Sequence, residues 1–220
     1  MGAESFYWEN FERPYLEEKF SGIGKAHPGR YLDFAVGTGR ILEIAAPNFS
    51  EVVGIDVSED MLKQARKKVP KARLIKIDIT SENLDLDKFN VISSFRFVLN
   101  AEPALREAAL QSLRLVIEDG GCLIINNHLN KWSFTGLVCR FSNFIHGKPR
   151  HKILSDTDIR YLLERCEFKV LEKYGFGLIP TWRNRLLLWS GVTYKLECFL
   201  NRSSFLQKFA KDRIYICQPI

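Results

Sequence analysis

Residues 31–40 read YLDFAVGTGR. An apolar run carries one acid, Asp33, then breaks into a turn with Gly37 and Gly39 before a helical pattern resumes in RILEIAAP. Two glycines so placed let a ligand approach the backbone with no Cβ in the way. A dinucleotide fingerprint would need a third small residue, and here Arg40, Ile41 and Leu42 follow Gly39. A phosphate-binding P-loop would need Gly-Lys-Ser/Thr, which is absent. The loop is therefore read as holding something other than a phosphate.

The pattern around it repeats. EVVGIDVS (51–58) is a second strand ending in Asp56, and Ser58 is a plausible N-cap for EDMLKQARKKV, with Glu59 and Asp60 in the first turn. ARLIKIDIT (72–80) is a third strand and FNVISSF (89–95) a fourth. PALREAALQSLRLVI is a helix stopped by Asp119-Gly120-Gly121, and CLIINNH (122–128) is a fifth strand. Strand and helix alternate five times, and the strands are nearly continuous apolar runs. That predicts an α/β fold: a doubly wound, mostly parallel seven-stranded sheet, Rossmann-like, with helices on both faces. Farther on, Ser155 caps a helix in SDTDIRYLLERCEF, KVLEKYGFGLI and DRIYICQP are strands, and a long helical pattern fills 182–210. An aromatic stripe in FYWENFERPYLEEKF (6–20) predicts an N-terminal helix interrupted at Pro14. The organisation expected is one domain over 1–220: a lid (1–30), a ligand-binding core (31–130), a basic apolar cap (131–155), and a C-terminal part (156–220) with strands six and seven.

Asp33-x-Ala35-x-Gly37-x-Gly39, followed by Asp56 and by Asp78 in KIDIT, resembles the class I S-adenosylmethionine-dependent methyltransferases. The resemblance covers residues 31–128 in the family's order, and departs from it at Ala35, where many members carry glycine. It implies S-adenosylmethionine as cofactor and Asp33, Ala35, Gly37, Gly39, Asp56, Val57, Met61, Asp78, Ile79 and Phe95 as its site. Asp56 is expected to accept from the ribose hydroxyls and Asp78 from the adenine amine, with Val57, Met61 and Ile79 against the ring. Asp33 orders the loop or lies near the methionine amine. Tyr7, Arg13 or Tyr15 of the lid would reach the cofactor carboxylate.

Methyl transfer needs a nucleophile aligned with an activated methyl group, and a hydroxyl acceptor also needs a base. His128, just past the fifth strand, is the candidate base; a structural histidine is the alternative. Arg96, Asn127 and Arg140 are the candidate acceptor contacts, with Asn126 and Asn130 nearby. After strand four the chain reads Ser94-Phe95-Arg96-Phe97. The Asn/Asp-Pro-Pro-Tyr/Phe motif of methyltransferases acting on nucleic-acid bases is absent, so nucleic acid is not the expected partner. The reading is an enzyme acting on a small molecule, by O-methylation of a sugar, glycolipid or natural product. The alternative is a non-catalytic binding module with the same fold.

Charge adds one constraint. The net charge of +6 is uneven: residues 131–220 carry 16 Lys+Arg against 7 Asp+Glu, residues 1–130 carry 16 against 19. In 132–155, Arg140, Lys148, Arg150 and Lys152 accompany an apolar helical face, with no acid before Asp156. An anionic or lipid-linked acceptor and peripheral membrane contact are the expectations there. The five cysteines form no C-x-x-C pair, so neither a disulfide framework nor a metal site is expected. The start MGAESFYWEN lacks the signal-peptide pattern, and a cytoplasmic protein is expected.

Overall fold

The computed structural model describes residues 2–79, 86–148, 150–182 and 184–220. The chain opens with helix α1 (Ala3–Tyr7), a π-helical turn (Trp8–Glu12) and helix α2 (Arg13–Ala26). Pro14 does not interrupt this helix. In a regular α-helix its ring would press on the carbonyl of Asn10, and the widened π turn spans that carbonyl.

The core follows as β1 (Arg30–Phe34), α3 (Arg40–Ala45), β2 (Glu51–Asp56), α4 (Glu59–Lys68), β3 (Arg73–Lys76), β4 (Phe89–Ser94), α5 (Phe97–Asn100), α6 (Pro103–Val116) and β5 (Ile117–Asn127). Then come α7 (Phe134–Ile145), α8 (Asp156–Arg165), β6 (Phe168–Phe176), a small hairpin of β7 (Thr181–Trp182) and β8 (Arg185–Leu186), α9 (Ser190–Leu200) and β9 (Asp212–Pro219). The seven-stranded sheet has the order β3-β2-β1-β4-β5-β9-β6. Its first five strands pair in parallel, and β9 runs antiparallel between β5 and β6. The doubly wound, mostly parallel sheet expected from the sequence is therefore present.

One face of the sheet is covered by α6 and α8 through Leu110, Leu113, Ile159 and Leu163, packed on Leu32, Val53 and Ile92. The other is covered by α1 to α4 through Phe6, Leu16, Phe20, Leu42 and Leu62, packed on Tyr31, Val91 and Ile124. Ser58 caps α4, and Ser155 caps α8 in a capping box with Asp158.

Several boundaries differ from the sequence reading. The third strand stops at Lys76, and Thr80 lies outside the described residues. Asp119-Gly120-Gly121 sits inside β5, because Ile117 is already buried and paired with Phe89; a register shift after that pair absorbs the glycines. The helical pattern of 182–210 divides into β8, α9 and a 3₁₀ turn at Leu206–Phe209. The apolar stripe of α7 does not form a pocket wall. The buried residue of α7 is Gly136, where a Cβ would meet the Asn130 carbonyl, so the small side faces inward and the apolar side outward.

Candidate active site

In a doubly wound sheet the ligand crevice lies beyond the carboxyl ends of the strands, where the winding reverses. Here that point lies between β1 and β4. A cavity of about 560 Å³ opens there, lined by Asp33, Ala35, Val36, Gly37, Thr38, Arg40 and Ile41 on one side and by residues 95–97, 100, 101 and 105 on the other. The loop folds tightly: Ala35, Gly37 and Gly39 all take positive φ (56°, 53° and 77°). A Cβ on Gly37 would meet nothing nearer than 3.9 Å, so that glycine keeps the backbone open to the cavity. Gly39 has a different duty. Its Cβ would sit 3.0 Å from Ala65, so it lets the loop press on α4. Ala35 bears a left-handed conformation that costs a residue with a Cβ about 1 kcal/mol, which accounts for the glycine many members of the resembling family carry there.

Asp33 is buried. Its Oδ1 accepts from Ser93 Oγ at 2.6 Å, Ser93 is joined to the Tyr31 hydroxyl at 2.6 Å, and its Oδ2 has no partner. Burial pushes its carboxyl up to about 7, against the pull of Ser93 and of the Leu42 backbone. Asp56 stands at the end of β2 with each oxygen engaged once, by Gly37 N–H and Ser58 N–H, both at 2.9 Å. Of the expected cofactor residues, Asp33, Ala35, Gly37 and Phe95 line the cavity. Six stand outside its lining: Gly39 before α3, Asp56 and Val57 at the end of β2, Met61 in α4, and Asp78 and Ile79 after β3. Val57 and Met61 are exposed and Ile79 is buried.

A second cavity of about 450 Å³ adjoins the first and shares Arg96 with it. Its walls come from Glu4, Tyr7, Trp8 and Glu12 of the N-terminal helix, from His128 and Thr135, and from Phe176, Lys211 and Asp212. Two arginines tie the lid across the boundary. Arg96 bonds Glu4 at 2.5 Å. Arg40 lies over the Trp8 ring at 3.7 Å and 3.7 Å from Glu12. Arg96 itself has φ 59°, held by its N–H to Asn126 Oδ1 (2.6 Å) and its carbonyl to Asn100 (2.6 Å).

The titratable groups of this cavity are displaced from their usual ranges. Glu12 is buried, and desolvation with Asp212 nearby raises its carboxyl to about 7 despite Arg40. Burial also raises Asp212. His128 is pushed down to about 4, first by burial and then by Arg96 and Lys211, and its Nδ1 is buried without a partner. At neutral pH the imidazole is thus uncharged.

Other expected contacts have different neighbours. Asn127 is fully buried and bonds the Leu154 carbonyl (2.9 Å) and the Leu129 N–H (3.3 Å); Asn130 bonds the Lys208 and Ala210 carbonyls. Arg140 lies over the Trp132 ring at 4.8 Å and lines neither cavity. Tyr7 bonds Glu197 and Ile179, Tyr15 bonds Glu172, and Arg13 pairs with Glu9 and Glu17, so none of the three meets the first cavity. Glu12, Asp212 and Arg40 were missed in the sequence. Glu12 stands amid an aromatic stripe and Asp212 opens the last strand, positions where an acid alone gives no signal.

Residues 32–121 match the family described as a methyltransferase domain. A dTDP-3-amino-3,4,6-trideoxy-alpha-D-glucopyranose N,N-dimethyltransferase of Streptomyces venezuelae is 36% identical over 96 residues, 43% of this chain and 40% of that protein. The chain thus spans about two fifths of that relative's length. An uncharacterized methyltransferase of Synechocystis is 22% identical over 153 residues, 68% of this chain and 72% of the other. Among solved structures, magnesium protoporphyrin IX methyltransferase from Synechocystis with bound SAH superposes with TM-score 0.63 at 15% identity, covering 95% of this chain and 83% of that one.

The matched stretch is 90 of the 220 residues, and the fold is the one that this solved methyltransferase shares. S-adenosylmethionine, the cofactor implied by the resemblance, fits the first cavity chemically. An ammonium group can meet the orphaned Asp33 Oδ2, and the open face of Gly37 admits the chain of the methionine part. Each Asp56 oxygen has a lone pair left for a ribose hydroxyl beyond the backbone N–H it already accepts. No phosphate-seeking lysine lines the cavity.

Proposed function

We propose that this methyltransferase acts on a small polar acceptor held in the second cavity, and that the methylated atom is an amine nitrogen. The carrying observation is the lining of that cavity: Glu4, Glu12 and Asp212 bring three carboxyls beside the first cavity, with Arg96 paired to Glu4 and Lys211 to Asp212, which leaves Glu12 the carboxyl with no cation of that lining on it. Carboxyls at such density favour a cationic or hydroxyl-rich acceptor over an anionic one. The N,N-dimethyltransferase relative, whose name specifies an amino sugar, supports the same class. When bound, the cofactor supplies an electrophilic methyl carbon on its sulfonium. The protein's part is to align the amine, exclude water and remove its proton. Glu12, with a carboxyl near 7, is matched to taking a proton from an ammonium at neutral pH. Asp33, Ala35, Gly37, Gly39, Asp56, Val57, Met61, Asp78, Ile79 and Phe95 hold the cofactor in this reading, and Arg96 stands between cofactor and acceptor.

A second reading, O-methylation of a sugar, glycolipid or natural product with His128 as base, is favoured by the uncharged imidazole on the wall of the same cavity. Product mass spectrometry with methyl-labelled cofactor, against matched amino and hydroxyl sugars, separates the two. The amine reading predicts label on the amino sugar and a rate that rises with pH through about 7 and loses that rise in Glu12→Gln. Label on the hydroxyl sugar alone, with the pH response tied to His128, would replace it with the second reading. No transfer to either sugar would leave the acceptor outside both classes.

A further inference from the structure

Helix α7 is built inside out. Phe134, Leu137, Val138, Phe141, Phe144 and Ile145 recur at helical spacing on one face, and all six are exposed, Phe141 at 65% and Phe144 at 82%. The side turned to the body carries Gly136. Helix α9 repeats the arrangement. Thr193 and Glu197 are buried, while Val192, Leu196 and Phe199 are exposed and Trp189, its N-cap, is 87% exposed. The buried Glu197 explains the orientation. It accepts from the Gly177, Leu178 and Ile179 N–H groups at 2.6, 2.8 and 3.1 Å and from Tyr7, which fixes α9 with its polar face inward.

Both helices stand at one end of the sheet. α7 follows the end of β5, and α9 lies between the end of β6 and the start of β9, where Asn127 pairs with Arg213 and Phe176 with Asp212. Thr135 of α7 and Ile179 and Thr181 before α9 line the second cavity. The charge on the two segments that carry these helices is mostly of one sign. Residues 131–155 hold five Lys+Arg and no acid, and residues 177–211 hold six Lys+Arg and one acid, the buried Glu197. Lys148, Arg150, Lys195 and Arg202 are exposed.

We infer that α7 and α9 dock this protein on an anionic lipid bilayer, with the second cavity at the membrane side. Aromatic and aliphatic side chains on one helical face with cations beside them are the composition of an interfacial helix. Each cation near an anionic leaflet adds about 1 kcal/mol. A second copy of the chain is a poorer occupant, because it would bring an equally positive surface against this one. The bilayer satisfies both the apolar faces and the charge. The inference is independent of which acceptor is methylated.

The experiment is co-sedimentation of the full chain with phosphatidylcholine vesicles, with and without phosphatidylserine at about one third of the lipid. Binding at least tenfold tighter to the anionic vesicles is expected. Phe141→Asp with Phe144→Asp should abolish binding while leaving the melting temperature unchanged, since both rings are already in solvent. Lys148→Glu with Arg150→Glu should remove the preference for phosphatidylserine. Three results would overturn the inference: no binding to either vesicle, full binding by the Phe141/Phe144 variant, or a dimer in sedimentation that this variant dissolves while vesicles are ignored.

Discussion

The two adjoining cavities are built in opposite ways. The first cavity is made from two short runs of chain, 33–41 and 95–105, each hung on the end of a neighbouring parallel strand. The second cavity draws on Glu4, Tyr7 and Glu12 near the start of the chain, on Arg96, His128 and Thr135, and on Phe176, Asn184 and Asp212 toward its end. One is held by backbone geometry, with three consecutive odd-numbered residues at positive φ. The other is held by side-chain pairs across elements far apart in sequence, Glu4 to Arg96 and Glu12 to Arg40. The first can be disturbed by changing one residue of a local motif. The second is sensitive to how the lid is seated and to the protonation of its acids.

The largest expected effect falls on the second cavity. If Glu12 takes the proton, Glu12→Gln should lower kcat by about 10²–10⁴-fold with cofactor affinity nearly intact. Stopped assays and cofactor calorimetry on one variant check both halves, and a loss shared equally by affinity would erase the contrast between the cavities. His128→Ala is the companion measurement: as a base it should cost a similar factor, as a wall residue less than threefold.

Asp56→Ala should weaken cofactor binding by about 2–4 kcal/mol in calorimetry, because it removes charge-assisted acceptors and frees the Gly37 and Ser58 N–H groups. Unchanged affinity would break the assignment of the ribose contact to Asp56.

Stability against pH should carry the mark of Asp33. Its folded carboxyl titrates near 7, well above its ordinary 3.8. Between those values the folded state holds a proton that the unfolded chain has released, so stability falls as pH rises through this window. At about 1.4 kcal/mol per pK unit, the loss over the whole window is on the order of 4 kcal/mol, about 3 of it above pH 5. Melting temperatures of the cofactor-free protein at pH 5 and pH 8 should differ accordingly, and Asp33→Asn should flatten the difference. The Glu12 carboxyl contributes in the same direction, so a double variant should flatten it further.

The smallest effect is the most local. Ala35→Gly should raise stability by about 1 kcal/mol by relieving a left-handed backbone. Gly37→Ala and Gly39→Ala should divide: the first mainly weakens cofactor binding, the second mainly lowers the melting temperature, because only Gly39 presses on Ala65. Equal behaviour of the two would deny their separate duties.

The fold and the glycine loop on the wall of the first cavity could be read from the amino-acid order because their information is local. Apolar runs of strand length, Ser58 and Ser155 as caps, and Asp33-x-Ala35-x-Gly37-x-Gly39 each act within a few residues of themselves, and β9 falls on 212–219 as the pattern said. What tertiary structure decided was which face of a helix is covered and which distant acids meet. The same apolar stripe in 134–145 is compatible with a pocket wall or an exposed face, and the choice was made by Gly136 against the Asn130 carbonyl. Glu12 and Asp212 are 200 residues apart, and their shared cavity exists because a π turn seats the lid beside the antiparallel end of the sheet. Burial then moved the carboxyl of Glu12, and burial is a property of the packed molecule, absent from any single stretch of its chain.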